Sequence, residues 1–232
     1  MKTAVVIRHV AYNGLGLFNR VLELAGYDVI YMDAGVADFS RRITIEADIM
    51  VVLDGPVSIN EMAKYPYLVN ELQLVEYRLQ NNLPVFGIGL GAEIMAKALG
   101  ASVYPMHEKE CGWQEVLLRT GNSLLEPLRG RQLLHWHNES FALPDNAQLL
   151  ASTAKCEVQA FSYERSLALQ FHMEIEMKKI EQWILGHAIE IQNQGSHCLN
   201  YLREGAENNG ALLEERARLV MQNWLQTLDS SD

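Results

Sequence analysis

Short runs of consecutive apolar residues alternate with longer stretches of helical periodicity in the first hundred positions. Residues 3–7 (TAVVI) are β-branched and apolar, and the chain is broken after them by Gly14 and Gly16. Leu17, Val21, Leu22 and Leu24 then recur at helical spacing up to Gly26, which predicts a helix with a glycine stop. Residues 28–32 and 48–53 predict a second and a third strand, the third running out at Asp54-Gly55-Pro56. Leu68, Leu72, Val75 and Leu79 mark one apolar face of a helix over 67–80. A fourth strand at 84–88 leads into a helix at 92–99, closed by Gly100. Continuously apolar strands separated by helices are the pattern of a parallel sheet covered on both faces.

The middle of the chain changes character. Residues 103–104, 113–119, 131–136, 149–152, 158–163 and 167–171 read as short strands with no long helix between them, predicting a small antiparallel layer on the parallel core. Helix returns over 174–192 and again over 211–228, where Leu213, Ala217, Val220, Met221, Trp224 and Leu228 form a stripe for packing on the body or for a subunit interface. With no internal repeat or low-complexity tract, residues 1–232 read as one α/β domain with a flavodoxin-like, open, mostly parallel sheet; the C-terminal helices occupy 174–232.

Charge narrows the function classes. Nineteen Lys and Arg against 29 Asp and Glu give a net charge of −10, with no basic face to neutralise phosphates, so a nucleic-acid partner is not expected. No apolar run approaches the length of a membrane span, and residues 4–7 are too short for a signal-peptide core before Arg8 and His9. Cys111, Cys156 and Cys198 are odd in number and form no CxxC pair, so a reducing cytoplasm is the default compartment.

The most informative segment is Pro84-Val85-Phe86-Gly87-Ile88-Gly89-Leu90-Gly91-Ala92-Glu93. A buried strand meets a helix through Gly87-x-Gly89-x-Gly91, the spacing of a sharp strand-to-helix elbow. Such an elbow exposes a nucleophile, and its amides and helix dipole hold an oxyanion. A dinucleotide fingerprint needs a third glycine one position later, and glycines that only allow close packing are the simpler alternative.

On these residues the chain resembles the class I glutamine amidotransferases. PVFGIGLGAE is similar to their elbow, P-[VIL]-x-G-[IV]-C-x-G-x-Q, and Leu53 to Ser58 to their GGP oxyanion strand. Glu110-Cys111-Gly112-Trp113, the segment from His135 to Pro144, and Gln159-Ala160-Phe161 are similar to further landmarks. Leu169-Gln170-Phe171-His172-Met173-Glu174 resembles the segment carrying the family's catalytic His and Glu. The order and spacing are closest to stand-alone members resembling the amidotransferase domain of GMP synthase, over about residues 1–190. The resemblance implies a cysteine attacking a glutamine carboxamide, a thioester, and ammonia passed to a synthase partner. It also implies that the carboxamide oxygen rests on the amides of Gly55 and Leu90.

The departures fall in one pocket. Gly89 occupies the position of the nucleophilic cysteine, Glu93 that of a glutamine, Asp54 that of a glycine, and Met173 that of a proline. His172 and Glu174, at i and i+2, face the same side and are expected to pair, with the imidazole near neutrality. Asp54, Glu93, His172 and Glu174 are expected to converge, with Glu93 ionised by the helix dipole. The resemblance therefore implies a protein unable to use the thioester route, acting as a small-molecule-binding or regulatory module. Its ligand would be glutamine-like or, in a more acidic pocket, a cationic amine. An enzyme with altered chemistry in the same pocket, or a Cys-to-Gly variant of an ordinary amidotransferase, are the alternatives. A synthase or a second copy of the chain are the candidate protein partners, and no cofactor is expected. His135, His137 and Glu139 alternate as H-x-H-x-E, a pattern able to bind zinc. The family resemblance already accounts for that run, so no metal site is assigned.

Overall fold

The computed structural model describes residues 2–121, 123–194 and 196–229; the last three positions assigned to the C-terminal helices lie outside them. Five strands run parallel: β1 (Lys2–Arg8), β2 (Tyr27–Asp33), β3 (Ile49–Val52), β4 (Val85–Ile88) and β10 (Ser166–Leu169), in the order β2-β1-β3-β4-β10. β9 (Ala160–Tyr163), β8 (Gln148–Ser152) and β6 (Leu117–Leu118) continue the same sheet beyond β10 in antiparallel sense. The remaining strands, β5 (Val103–Gln114) and β7 (Leu133–Phe141), form a separate antiparallel ribbon. The flavodoxin-like, mostly parallel reading therefore holds. Three of the antiparallel strands widen the main sheet, and the added layer is the β5–β7 ribbon.

Both faces of the sheet are dry, which is why its strands are apolar without alternation. On β1, Ala4 and Val6 point to one hydrophobic cluster and Val5 and Ile7 to the other, all four fully buried. The first cluster is closed by α1 (Leu17–Leu24) and α7 (Ser196–Asp229), where Trp224 meets Phe86 edge-on at 5.0 Å between ring centroids. The second is closed by α3 (Tyr67–Gln80) and α4 (Leu90–Ala98). Short α2 (Arg42–Glu46) precedes β3, a segment in which the sequence pattern indicates no helix.

The strand expected over 113–119 is divided between the end of β5 and β6, and that expected over 131–136 is β7, over 133–141; three further differences have a physical reason. β5 is one strand from 103 to 114, because its middle, His107-Glu108-Lys109, faces outward and carries no apolar signal. The expected helix over 174–192 begins only after a 3₁₀ turn at Met177–Lys179. It is split at His187 into α5 (Ile180–Gly186) and α6 (Ala188–Gln194). Helix α7 starts fifteen residues before position 211, running through Gly205 and Gly210. Glycine is tolerated in that helix because neighbours press against it: a β-carbon at 205 would lie 2.5 Å from Trp113 Cγ, and one at 210 would lie 2.6 Å from Met177 Cγ.

Candidate functional site

The carboxyl ends of the parallel strands meet where the strand order reverses between β1 and β3, the usual place for a site in an open α/β sheet. β1 delivers His9, β3 delivers Asp54, β4 delivers Gly89 and the chain leaving β10 delivers His172. The elbow is tied to β10 by the Gly89 amide, which donates to the Leu169 carbonyl at 2.9 Å. Helix α4 lies so close behind it that a β-carbon on Gly91 would sit 2.8 Å from the Val52 carbonyl carbon.

At the tip of the elbow, Gly89 has φ +55°, a left-handed conformation that other residues adopt only under strain. The space its side chain would need is filled. A β-carbon there would fall on the Asp54 carboxylate, 2.6 Å from Cγ and 2.9 Å from Cβ. Asp54 Oδ1 accepts the Leu90 amide hydrogen at 2.9 Å, at the positive end of α4. Asp54 Oδ2 lies 3.7 Å from His172 Nε2, and on the far side His172 Nδ1 is 2.8 Å from Glu174 Oε1. The second Glu174 oxygen accepts the Met173 amide at 3.0 Å. His172 is fully buried, and burial alone would lower its pKa. Glu174 and then Asp54 outweigh that and raise it to about 9. The imidazole expected near neutrality is thus an imidazolium at pH 7, held between two carboxylates.

Asp54, Gly55, Leu90 and Glu93 line a cavity of about 520 Å³ together with Gln170 and His137. His172 is shut behind Asp54, and Glu174 opens instead on a neighbouring cavity of about 470 Å³ beside Trp183. The four acidic and imidazole groups therefore do not share one chamber. Glu93 also departs from expectation. Although it sits in the first turn of α4, burial pushes its carboxyl up to about 8, so it is protonated at neutral pH. It hydrogen-bonds Gln170 Nε2 through Oε1 at 2.9 Å. Loss of hydration exceeds the favourable helix field, which is worth only about 0.3–1 kcal/mol in exposed settings.

Two groups escaped the sequence reading. His9 packs against Gly55, where a β-carbon would come within 2.8 Å of its ring, and its Nε2 is 3.1 Å from both oxygens of buried Glu71. Burial pulls the His9 imidazole down and Glu71 more than restores it. The available signal is Glu71 itself, a carboxylate on the Leu68, Leu72 and Val75 stripe of α3. The second group closes the cavity rim. Lys109 reaches Glu190 on α6 at 2.9 Å while lying 4.2 Å above the Trp136 ring, and Trp136 Nε1 donates to the same Glu190 oxygen.

The H-x-H-x-E reading is corrected in one member. His135 and His137 come together, but the third residue is Glu110, paired with His137 across the ribbon, and not Glu139. Glu139 contributes its backbone oxygen, which accepts His137 Nδ1–H at 3.0 Å. Burial opposes ionisation of Glu110, but hydrogen bonds from His137 and Thr153 hold its pKa low; burial keeps that of His135 low as well. Elsewhere, Cys156 is buried between Ser140 and Val158, and Cys198 contacts Cys111, a pairing hidden by their separation in sequence. None of the three thiols lies at the elbow.

The sequence profile "Glutamine amidotransferase class-I" matches residues 17–190, and the chain belongs to that family. It is 30% identical over 206 residues to the glutamine amidotransferase-like protein YfeJ of Salmonella typhimurium, covering 84% of this chain and 86% of that one. It is 31% identical over 138 residues to one subunit of the glutamine-hydrolysing GMP synthase of Thermoplasma acidophilum, covering 57% of this chain and 66% of that one. The crystal structure of a glutamine amidotransferase from Thermotoga maritima superposes with a TM-score of 0.88 at 29% identity, over 97% and 98% of the two chains. No helix among the described residues is long and apolar enough to cross a membrane.

Proposed function

We propose that this class I glutamine amidotransferase-like protein does not hydrolyse glutamine through a thioester and serves as a small-molecule-binding or regulatory module. The observation that carries this is the Asp54 carboxylate. It fills the room a side chain at position 89 would take, and it accepts the amide hydrogen of Leu90 that an oxyanion would need. Gly89 removes the nucleophile, and Asp54 puts an anion of the protein's own in its place. The two departures reinforce each other, which argues against a simple Cys-to-Gly variant of a working amidotransferase.

The same geometry disfavours water activated by His172. An imidazolium with a pKa of about 9 has no free lone pair at pH 7, and Asp54 separates it from the cavity. A ligand would occupy the cavity of about 520 Å³, meeting protonated Glu93 and Gln170 at its inner end. Neutral Glu93 preserves the donor and acceptor pattern of an amide side chain. This favours a glutamine-like ligand, whose carboxamide can pair with a neutral Glu93 and with Gln170. The relation to a GMP synthase component supports a synthase as a protein partner.

Ammonia release from glutamine should be absent in the native chain and in Gly89→Cys, and should appear only in the Asp54→Gly, Gly89→Cys double variant. Ammonia release by the native chain would overturn the proposal. Calorimetry with glutamine and with simple amines separates the two ligand classes: heat from amines alone at pH 7 would reverse the ligand assignment.

A further inference from the structure

We propose that Glu110, His135 and His137 form a binding site for a divalent transition-metal ion, with zinc the best chemical match. The candidate donor atoms of the three residues lie within 4.8 Å of one another, and all three side chains are buried. Zinc with three such ligands at bond lengths of about 2.0–2.2 Å draws neighbouring donors to roughly 3.3–3.5 Å. Here His137 Nε2 is 3.1 Å and His135 Nδ1 is 3.9 Å from the same oxygen, Glu110 Oε2. The two separations bracket that spacing.

Hydrogen bonding argues for a cation more strongly than proximity does. His137 Nδ1 faces a carbonyl oxygen and therefore donates, which aims Nε2 at the Glu110 carboxylate. Unprotonated, that nitrogen would set a lone pair against an anionic oxygen. A proton on Nε2, or the Gln159 amide that reaches both atoms, resolves this contact, but neither helps His135. Neither ring nitrogen of His135 pairs with a side chain among the described residues; the Gln114 backbone is its one polar contact, and the ring is at 0% exposure. The nitrogen turned toward Glu110 lies 3.9 Å from its oxygen, beyond hydrogen-bond reach, and a buried polar atom left unpaired calls for an occupant. One metal ion would take one lone pair from His135 and one from His137, with the second His135 nitrogen left to the Gln114 backbone.

The surroundings are those of a supported site. Thr153 Oγ1 donates to Glu110 Oε1 at 2.6 Å, Gln159 Nε2 donates to Oε2, and the Glu139 carbonyl orients His137, the outer contacts that fix metal ligands elsewhere. The Gln159 amide oxygen is also buried without a hydrogen-bond partner among the described residues. His137 lines the cavity of about 520 Å³ and provides a way in. Bound there, the ion would clamp β5 to β7.

The test uses the full chain without an affinity tag, stripped with a chelator, dialysed and titrated with cobalt(II) and zinc(II). The expected result is one equivalent of cobalt with the visible absorption of a four- or five-coordinate ion, displaced by zinc. His135→Gln and Glu110→Gln should each weaken zinc binding by at least about 100-fold. His135→Gln is decisive if Glu110→Gln does not fold, since that ring makes no side-chain hydrogen bond to lose. Circular dichroism with chelator present shows which variants are folded. A folded native chain with no stoichiometric cobalt binding, or binding unchanged in folded His135→Gln, would overturn the proposal.

Discussion

His172 at the elbow and His135 on the ribbon are both fully buried, yet their basicities move in opposite directions. His172 has Glu174 at 2.8 Å on one nitrogen and Asp54 at 3.7 Å beyond the other, and is raised to about 9. His135 shares one carboxylate with His137, stands 3.9 Å from it and is lowered by burial. Depth of burial therefore does not decide whether a core histidine is charged. The number of carboxylates dedicated to it does, because an unshared anion at contact distance offsets lost hydration and a shared one does not.

The largest expected effect removes one of the two dedicated carboxylates. Glu174→Gln should destabilise the protein by about 3–5 kcal/mol near pH 6, measured by urea unfolding. The sign follows from His172. Its folded pKa lies above the unfolded value of about 6.5, so its stabilisation is complete below 6.5 and lost as pH rises through 9. The deficit of the variant should shrink across that window, and one independent of pH would break the comparison.

Next, Gly91→Ala tests whether the elbow's backbone is held as tightly as its charges. Its β-carbon would press on the Val52 carbonyl, and a loss of about 1–3 kcal/mol is expected at every pH. The effect of Glu93→Gln is graded with pH instead, slight near pH 5 and growing above it. Glu93 stays protonated in the folded protein up to about 8 but ionises above about 4.5 when unfolded, so native stability should fall as pH climbs between those values. The variant should lack that fall, a difference of at most about 1.4 kcal/mol per pH unit. The smallest effect belongs to the ribbon. With chelator present, His135→Phe should change stability by less than about 1 kcal/mol, because no side-chain hydrogen bond is lost. With zinc present the native chain should gain stability over the variant by mass action.

What the sequence could disclose follows the range of the forces involved. The parallel core and the elbow are legible because apolar runs and Gly87-x-Gly89-x-Gly91 are local signals. The centre of β5 is not, since its polar residues face outward, and the early turns of α7 are not, since Gly205 is explained only by Trp113 lying against it. Asp54 and Gly89 are each visible as departures from a family pattern, but their competition for one volume requires β3 and β4 to be neighbours. Charge states were the least legible. Glu93 in a first helical turn reads as ionised until its burial is known, and Glu110 is chosen over Glu139 by pairing across strands. Periodicity assigns a residue to a face; it does not say which neighbour waits there.

One seam in the main chain has its own consequence. The Leu17 amide donates to the carbonyl oxygen of Glu174 at 2.8 Å, and a methyl group on Gly16 would run into that same carbonyl, 3.0 Å from its carbon. The opening of the first helix is thereby welded to the residue that keeps the imidazolium charged. Mutational drift can rewrite the side chains around the elbow, but any replacement at Gly16 reaches His172 through the backbone, from a position that touches neither its ring nor its carboxylates.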